Sequence, residues 1–322
     1  MNHLETLSFS IGIPAFKGKF LRECILSVLN QSYKNFELIV INDASPDPID
    51  TIISEFKDPR ITYFKNDINI GAKNLVNNWN NCLDKASGDY FVLMGDDDTM
   101  ELNYLEEFIL LIKKYPDLDV YHCRSIIIDE NSKPIMITPS WPEYESVYES
   151  IWHKRHGGRI HFISDFVYKT KTLKEKTGFY FLPMAWASDD ISFYIAASDK
   201  GVAHINRPLL NYRKHSMTLS NSGNLLIKMD AILLHKKWLK NFLEKLPLKP
   251  MDQLYCKLIR DGLDKNFQKQ KVMVMKVGMQ DGLFNNMEKW YMNRTKYKVS
   301  LGEIFYAALS YLKTALAGRK FK

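Results

Sequence analysis

Only four cysteines occur among the 322 residues, Cys24, Cys82, Cys123 and Cys256, and no two of them form a C-x-x-C pair. That spacing speaks against a zinc ribbon or a disulfide-framed scaffold, and it fits a reducing cytosol. A G-x-G-x-x-G element and a P-loop lysine motif are both missing, which argues against a dinucleotide fold and a P-loop ATPase. No apolar run approaches the ~18 residues that span a bilayer. The first residues, Met-Asn-His-Leu-Glu-Thr-Leu, lack the charged and apolar regions of a secretion signal. These absences lead us to expect a cytoplasmic protein. With 46% hydrophobic and 25% charged residues the chain has an ordinary globular composition, and its length suits one large domain with an extension, or two domains.

The most informative segment that is present is Tyr-Phe-Val-Leu-Met-Gly-Asp-Asp-Asp at 90–98, an apolar strand ending in three adjacent carboxylates, Asp96, Asp97 and Asp98. Carboxylates this close repel one another and raise at least one pKa, unless a cation sits among them. Hard oxygen ligands filling part of a coordination sphere suit Mg²⁺ or Mn²⁺, leaving positions for water and phosphate oxygens. The alternative is an acidic turn capping a helix that begins near Glu101.

Apolar strands alternate with helical patterns through the first hundred residues. Strands are expected at Ser8 to Ile13, Leu38 to Ile41, Ile61 to Phe64 and Tyr90 to Met94, and helices at Phe20 to Asn30, Pro48 to Phe56 and Ala72 to Ala86. Repeated β-α-β of this kind predicts an α/β fold, a Rossmann-like, mainly parallel sheet flanked by helices. Ligands of such sheets collect at the carboxyl ends of the strands. Polar groups stand at three of those ends: Pro14-Ala15-Phe16, Asn42-Asp43-Ala44-Ser45, and the Asp triplet. Beyond residue 100 the pattern predicts a helix over Leu102 to Tyr115 and strands over Val120 to Ile128 and Arg159 to Tyr168. It gives pocket-shaping loops over Lys133 to Gly158 and a helix over Asp189 to Ser198.

The net charge of +7 is unevenly spread. Residues 225–322 carry 20 Lys and Arg against 8 Asp and Glu, a net +12, whereas residues 1–224 are net −5. This basic, mostly helical C-terminal extension calls for an acidic partner. An anionic membrane surface is favoured over nucleic acid. Leu301, Ile304, Phe305, Ala308, Leu312 and Leu316 fall on one helical face, and Arg319, Lys320 and Lys322 follow. Such a helix either lies in a membrane interface or packs on its own domain. The first outcome places the protein peripherally on the inner face of the plasma membrane.

Several segments together, in this order, resemble the family 2 glycosyltransferases: Ser-Ile-Gly-Ile-Pro-Ala-Phe-Lys at 10–17, Leu-Arg-Glu-Cys-Ile-Leu-Ser-Val-Leu-Asn-Gln-Ser-Tyr at 21–33, Phe-Glu-Leu-Ile-Val-Ile-Asn-Asp-Ala-Ser at 36–45, Asn-Ile-Gly-Ala-Lys-Asn at 69–74 and Ser-Gly-Asp-Tyr at 87–90. The resemblance covers roughly residues 8–220. It implies a GT-A fold and transfer of a sugar, usually with inversion, from a nucleotide-sugar donor to an acceptor hydroxyl with Mn²⁺ or Mg²⁺. It divides the chain into a catalytic domain over 1–222, with a nucleotide half to about residue 100 and an acceptor half beyond, and a helical extension over 223–322. Family analogy adds a glycan or lipid-linked acceptor of bacterial cell-surface polysaccharide synthesis.

The resemblance also implies roles for residues. Phe16, following Pro14 and Ala15, stacks on the base and Asp43 accepts from its ring nitrogen, which suits a UDP- or dTDP-linked donor. Lys73 and Asn74 lie near the nucleotide. Asp97 is the direct metal ligand, Asp96 meets the ribose or shares the metal, and Asp98 faces donor sugar or acceptor. The usual first carboxylate of the motif is replaced by Gly95, which leaves the ligand assignment open by one residue. Trp186-Ala187-Ser188-Asp189-Asp190 matches the element that supplies the base, with Asp190 as base and Asp189 in support; a plain acidic helix N-terminus is the alternative. Asn211 to Ser216 resembles the loop that closes over the diphosphate, with Arg213 and His215 as phosphate or metal contacts. Two other classes stay open, a sugar-phosphate nucleotidyltransferase and a non-catalytic module that binds nucleotide sugars or membranes.

Overall fold

The computed structural model describes residues 7–215 and 224–319. The chain forms two compact units, Met1–Phe181 with Ser188–Asn221, and Leu182–Ala187 with Ser222–Lys322.

The first unit opens with β1 (Phe9–Ala15), α1 (Leu21–Leu29), β2 (Phe36–Asn42), α2 (Ile49–Ser54), β3 (Ile61–Lys65), α3 (Leu75–Lys85) and β4 (Tyr90–Leu93). β1 and β2 are buried along almost their whole length, as expected of parallel strands covered on both faces. α1 turns Leu21, Cys24, Ile25 and Val28 to the interior, the i, i+3, i+4, i+7 stripe of a half-buried helix. α3 comes very close to β1, because a Cβ at Gly12 would lie 2.7 Å from the Cys82 Cβ. A glycine there permits the approach.

The second half of this unit adds β5 (Thr99–Met100), α4 (Tyr104–Lys114), β6 (Val120–Ile128), β7 (Pro134–Ile137), β8 (Tyr144–Glu145), α5 (Val147–Arg155), β9 (Phe166–Lys169), α6 (Thr170–Glu175), α7 (Ser188–Ala197) and β10 (Val202–Arg213). The sheet runs β3-β2-β1-β4-β9-β6-β10-β5, with β7 beside β6 and β8 beside β10. The β3-β2-β1-β4 half is parallel. β9 pairs antiparallel with both β4 and β6, so the sheet is mixed across its middle.

Three expectations need correction. The stretch Lys133 to Gly158 holds β7, β8 and α5 where loops were expected; Ser146 caps α5 by accepting from the Glu149 N–H. The strand expected over Arg159 to Tyr168 begins only at Phe166, after a 3-10 turn at Ile163–Asp165. The expected loop at Asn211 to Ser216 starts as the end of β10, with Asn211, Tyr212 and Arg213 paired to β6; Ser216 lies outside the described residues.

The second unit contains a 3-10 turn at Pro183–Ala185 that packs on α8 (Leu225–Phe242), followed by α9 (Pro250–Gly278), α10 (Leu283–Tyr297) and α11 (Leu301–Arg319). Pro250 is the first residue of α9, where a missing N–H costs no helical bond. Among the described residues no helix is long and apolar enough to cross a membrane.

Candidate active site

At the first two strand ends, backbone hydrogen bonds fix the loops to each other before any ligand arrives. The Asp43 N–H donates to the Ala15 carbonyl at 3.0 Å, and the Ser45 hydroxyl donates to the Phe16 carbonyl. Pro14 is half-buried and Ala15 buried, while the Phe16 ring is 41% exposed, a free aromatic face at the end of β1. Asp43 is buried. Its Oδ1 accepts from Asn66 Nδ2 and from the Ile70 N–H, each at 2.9 Å, and its Oδ2 accepts a longer 3.2 Å bond from Asn69 Nδ2. A carboxylate has about four acceptor positions, so Oδ2 keeps capacity for one more donor. Ala44 holds φ at 47° in the turn between Asp43 and Ser45. Lys73, exposed, and Asn74 occupy a 3-10 turn at Ala72–Asn74, and Asn74 Nδ2 donates to the Ile70 carbonyl at 3.2 Å. Asn74 is thereby linked to Asp43 through Ile70, whose N–H donates to that carboxylate.

The three carboxylates after β4 are given three different environments. Asp96 Oδ2 accepts from the Phe16 and Lys17 N–H groups at 2.8 and 2.7 Å. Burial, then the charge of Asp97, pushes its pKa up to about 6. Asp97 keeps a partly exposed side chain, and its Oδ2 lies 2.7 Å from His215 Nε2. Asp98 is 2% exposed and accepts from the Arg213 N–H at 3.0 Å and from the Ser164 hydroxyl at 2.9 Å. Burial and Asp97 hold it well above the usual carboxylate range. A helix cap is not the purpose of this triplet, because α4 starts at Tyr104 behind Asn103. Gly95 leaves room for the Asp98 carboxylate, whose Oδ2 would lie 2.8 Å from a Cβ there.

Two residues are placed otherwise than the sequence suggested. Asp98, expected to face the donor sugar or acceptor, is buried and held by Ser164 and the β10 backbone. Arg213 is fully buried in β10; its guanidinium pairs with Glu23 Oε2 at 2.8 Å, bonds the Asp97 carbonyl and Ser132 Oγ, and covers the Phe20 ring. It braces the triplet from behind. His215, two residues on, reaches Asp97 itself.

Asp189 and Asp190 lie in the first turn of α7, where the helix dipole favours negative charge. Sequence reading missed their surroundings. Lys154 Nζ and His161 Nε2 each lie 2.7 Å from Asp190 Oδ1, and 2.8 Å from one another. Burial and the Lys154 charge lower His161 to about 4, so its ring is neutral. Burial and Asp190 raise Asp189 to about 6. Met184, Ala185 and Ala187, just before α7 in sequence, all have positive φ, a conformation that costs about 1 to 2 kcal/mol for each non-glycine residue.

Two carboxylate groups thus offer themselves to a cation. His161, Asp189 and Asp190 present ligand atoms within 4.8 Å of one another, but the Lys154 ammonium already supplies the positive charge there. At the triplet, burial and then the charge of Asp97 raise Asp96 and Asp98, and the Asp97–His215 pair adds one oxygen and one imidazole nitrogen. That donor set fits Mn²⁺ or Mg²⁺, Mn²⁺ the better with nitrogen present.

One short segment links both groups. His161 bonds Asp190, and Ser164, three residues later, bonds Asp98 and the Gly95 N–H. Three residues of chain reach at most about 11 Å. Between them the Phe162 ring stacks on Tyr212 at 3.5 Å and 4°, and the Phe162 N–H donates to Asp165 Oδ2. A lone Lys at the end of α5 and a lone His in the irregular stretch after it carry no motif, so nothing in the sequence could have marked them.

A mixed α/β sheet with flanking helices, polar loops after β1 and β2 and an acidic cluster after β4 is the architecture of the GT-A class of glycosyltransferase fold. The same architecture is found in TarS of S. aureus: a 1–349 structure solved with UDP-GlcNAc aligns with 96% of this chain and 92% of its own at a TM-score of 0.65, with 15% identity. The chain belongs to glycosyl transferase family 2, whose profile matches residues 10–188. Relatives include an uncharacterized glycosyltransferase of Rickettsia typhi, 34% identical over 38% of this chain and 38% of that protein. EpsE of Bacillus subtilis, assigned as a glycosyltransferase, is 35% identical over 44% of this chain and 51% of its own. WcaA of Escherichia coli K12, assigned to colanic acid biosynthesis, is 36% identical over 31% of this chain and 36% of its own. The chain therefore matches about half or less of the length of each of these relatives.

Proposed function

We propose that the protein is an inverting, metal-dependent glycosyltransferase that moves a sugar from a UDP- or dTDP-linked donor to a hydroxyl of a glycan or lipid-linked acceptor in cell-surface polysaccharide synthesis, on the cytoplasmic side. Phe16 stacks on the base and Asp43 Oδ2 accepts from its ring N–H, with Lys73 and Asn74 alongside. Asp97 and His215, with Asp96 beside them, are the residues that would hold Mn²⁺ or Mg²⁺. Such a cation supplies charge neutralisation for the departing diphosphate. Asp190 takes the proton from the acceptor hydroxyl as its oxygen bonds to the anomeric carbon and the bond from that carbon to the diphosphate breaks. Lys154 and His161 hold Asp190 through one of its oxygens, and Asp189 lies beside it.

The observation that carries this reading is the segment 161–165, which bonds the proposed base at one end and the acidic triplet at the other. TarS, solved with UDP and with UDP-GlcNAc, supports the donor class, and WcaA supports the polysaccharide context. A nucleotidyltransferase or a silent binding module is disfavoured by the family match and by the held carboxylate of Asp190.

Thermal-shift screening of nucleotide sugars with Mn²⁺ tests the proposal. A true donor at 100 times its Kd should stabilise the protein by about 2.7 kcal/mol. Asp97→Ala should abolish the metal-dependent part of the shift. Asp190→Asn should keep the shift and lose about 10²- to 10⁴-fold in turnover. An Asp190→Asn enzyme of normal rate removes the assigned base, and no shift with any UDP- or dTDP-sugar removes the donor.

A further inference from the structure

The helix α11 is apolar on two sides. Ile304, Ala307 and Ala308 are buried, at 3%, 0% and 5% exposure, in a helix that packs on α9 and α10. The face expected from sequence is thereby split, because Leu301, Phe305, Leu309, Leu312 and Leu316 stay 50%, 56%, 58%, 38% and 60% exposed, and Tyr306 64%. Steps of four, four, three and four residues keep those five side chains in one stripe about 22 Å long. The inner face satisfies the helix's packing; the outer stripe needs another partner, since contiguous exposed apolar surface of this kind marks an interaction site.

We propose that this stripe docks the protein on an anionic lipid bilayer surface, the helix lying in the interface. Charge decides between the occupants. The described part of α11 exposes Lys313 at the flank of the stripe, and the second unit carries 20 Lys and Arg against 8 Asp and Glu. A net +12 repels a second copy of the same unit and attracts acidic headgroups. The helix is too polar to span a membrane, which leaves it in the interface plane. Lys320 and Lys322 of the basic end, counted in that charge, lie outside the described residues, as does the side chain of Arg319. This inference is independent of the donor chemistry, so either can fail alone.

Co-sedimentation of the full chain with phosphatidylcholine vesicles, with and without phosphatidylglycerol, is the test. The protein should pellet with the anionic vesicles, stay largely free of the neutral ones, and be released as salt rises. Leu309→Glu with Leu312→Glu should weaken vesicle affinity about tenfold or more while the thermal melt is unchanged. Leu110→Glu on α4, an equally exposed leucine of the first unit at 59%, should bind as the parent does. Equal pelleting of parent and double variant, or no preference for the anionic lipid, overturns the proposal. So does a lipid-free dimer that the double variant turns into a monomer.

Discussion

Each carboxylate of the site is set by its immediate neighbours. Asp96, Asp97 and Asp98 are adjacent in sequence, yet one is tied to the backbone after β1, one meets His215, and one is enclosed by Ser164 and Arg213. The acidic run itself was plain in the sequence. Its division of labour was not, because it depends on partners as much as 118 residues away. At Asp190 the decisive neighbour is Lys154, whose positive charge offsets the repulsion between Asp189 and Asp190. Lys154→Met removes that charge and makes both carboxylates harder to ionise. The base works deprotonated, so the acid limb of the kcat/KM profile should move to higher pH by about one unit or more, with the alkaline limb unmoved. An unshifted acid limb assigns it to a group other than this pair.

Among the elements, those with a regular apolar period were legible. β1 to β4 and the helices between them came within about three residues of their expected ends, because their apolar runs are short and bounded by turn residues. β10 did not, since Asn206-Arg207-Pro208 interrupts it and its register against β6 shifts on both sides of Pro208. β7, β8 and α5 were hidden by proline and aromatic content that also suits loops. Nor could periodicity say which side of α11 would be covered. The segment 161–165 was equally illegible, being held by side-chain bonds. Its anchor is Asp165, which accepts from the Phe162 N–H and the Ser125 hydroxyl and is raised by burial to about 8 from an ordinary 3.8. The folded protein therefore keeps a proton there that the unfolded chain gives up. The resulting stability is full below about pH 4, falls by up to ~1.4 kcal/mol per pH unit between the two values, and is lost above about pH 8. Asp165→Asn, neutral throughout, should remove this component. In urea titrations at about pH 5 and about pH 8 the parent should lose more stability than the variant, and parallel losses would dismiss Asp165 as the cause.

For the whole molecule, thiol chemistry gives a direct check on the packing. Cys24, Cys82, Cys123 and Cys256 are all free and buried, and burial raises each thiol pKa. Ellman's reagent should find almost no reactive thiol in the native protein and all four in guanidinium, and rapid native labelling of any one would place that residue at a surface. The late strand β10 inserts between β6 and β5, next to the edge of the sheet. The triplet follows β4, the proposed base begins α7, and the two side chains that hold the triplet, Arg213 and His215, come later still. During synthesis, no emerging portion of the polypeptide possesses a finished catalytic pocket until more than two hundred residues have left the ribosome. On the proposed assignment, a chain terminated before that point should be inert in a transferase assay, and a working enzyme from two separately expressed fragments would require the later piece to thread its final strand between neighbours already laid down.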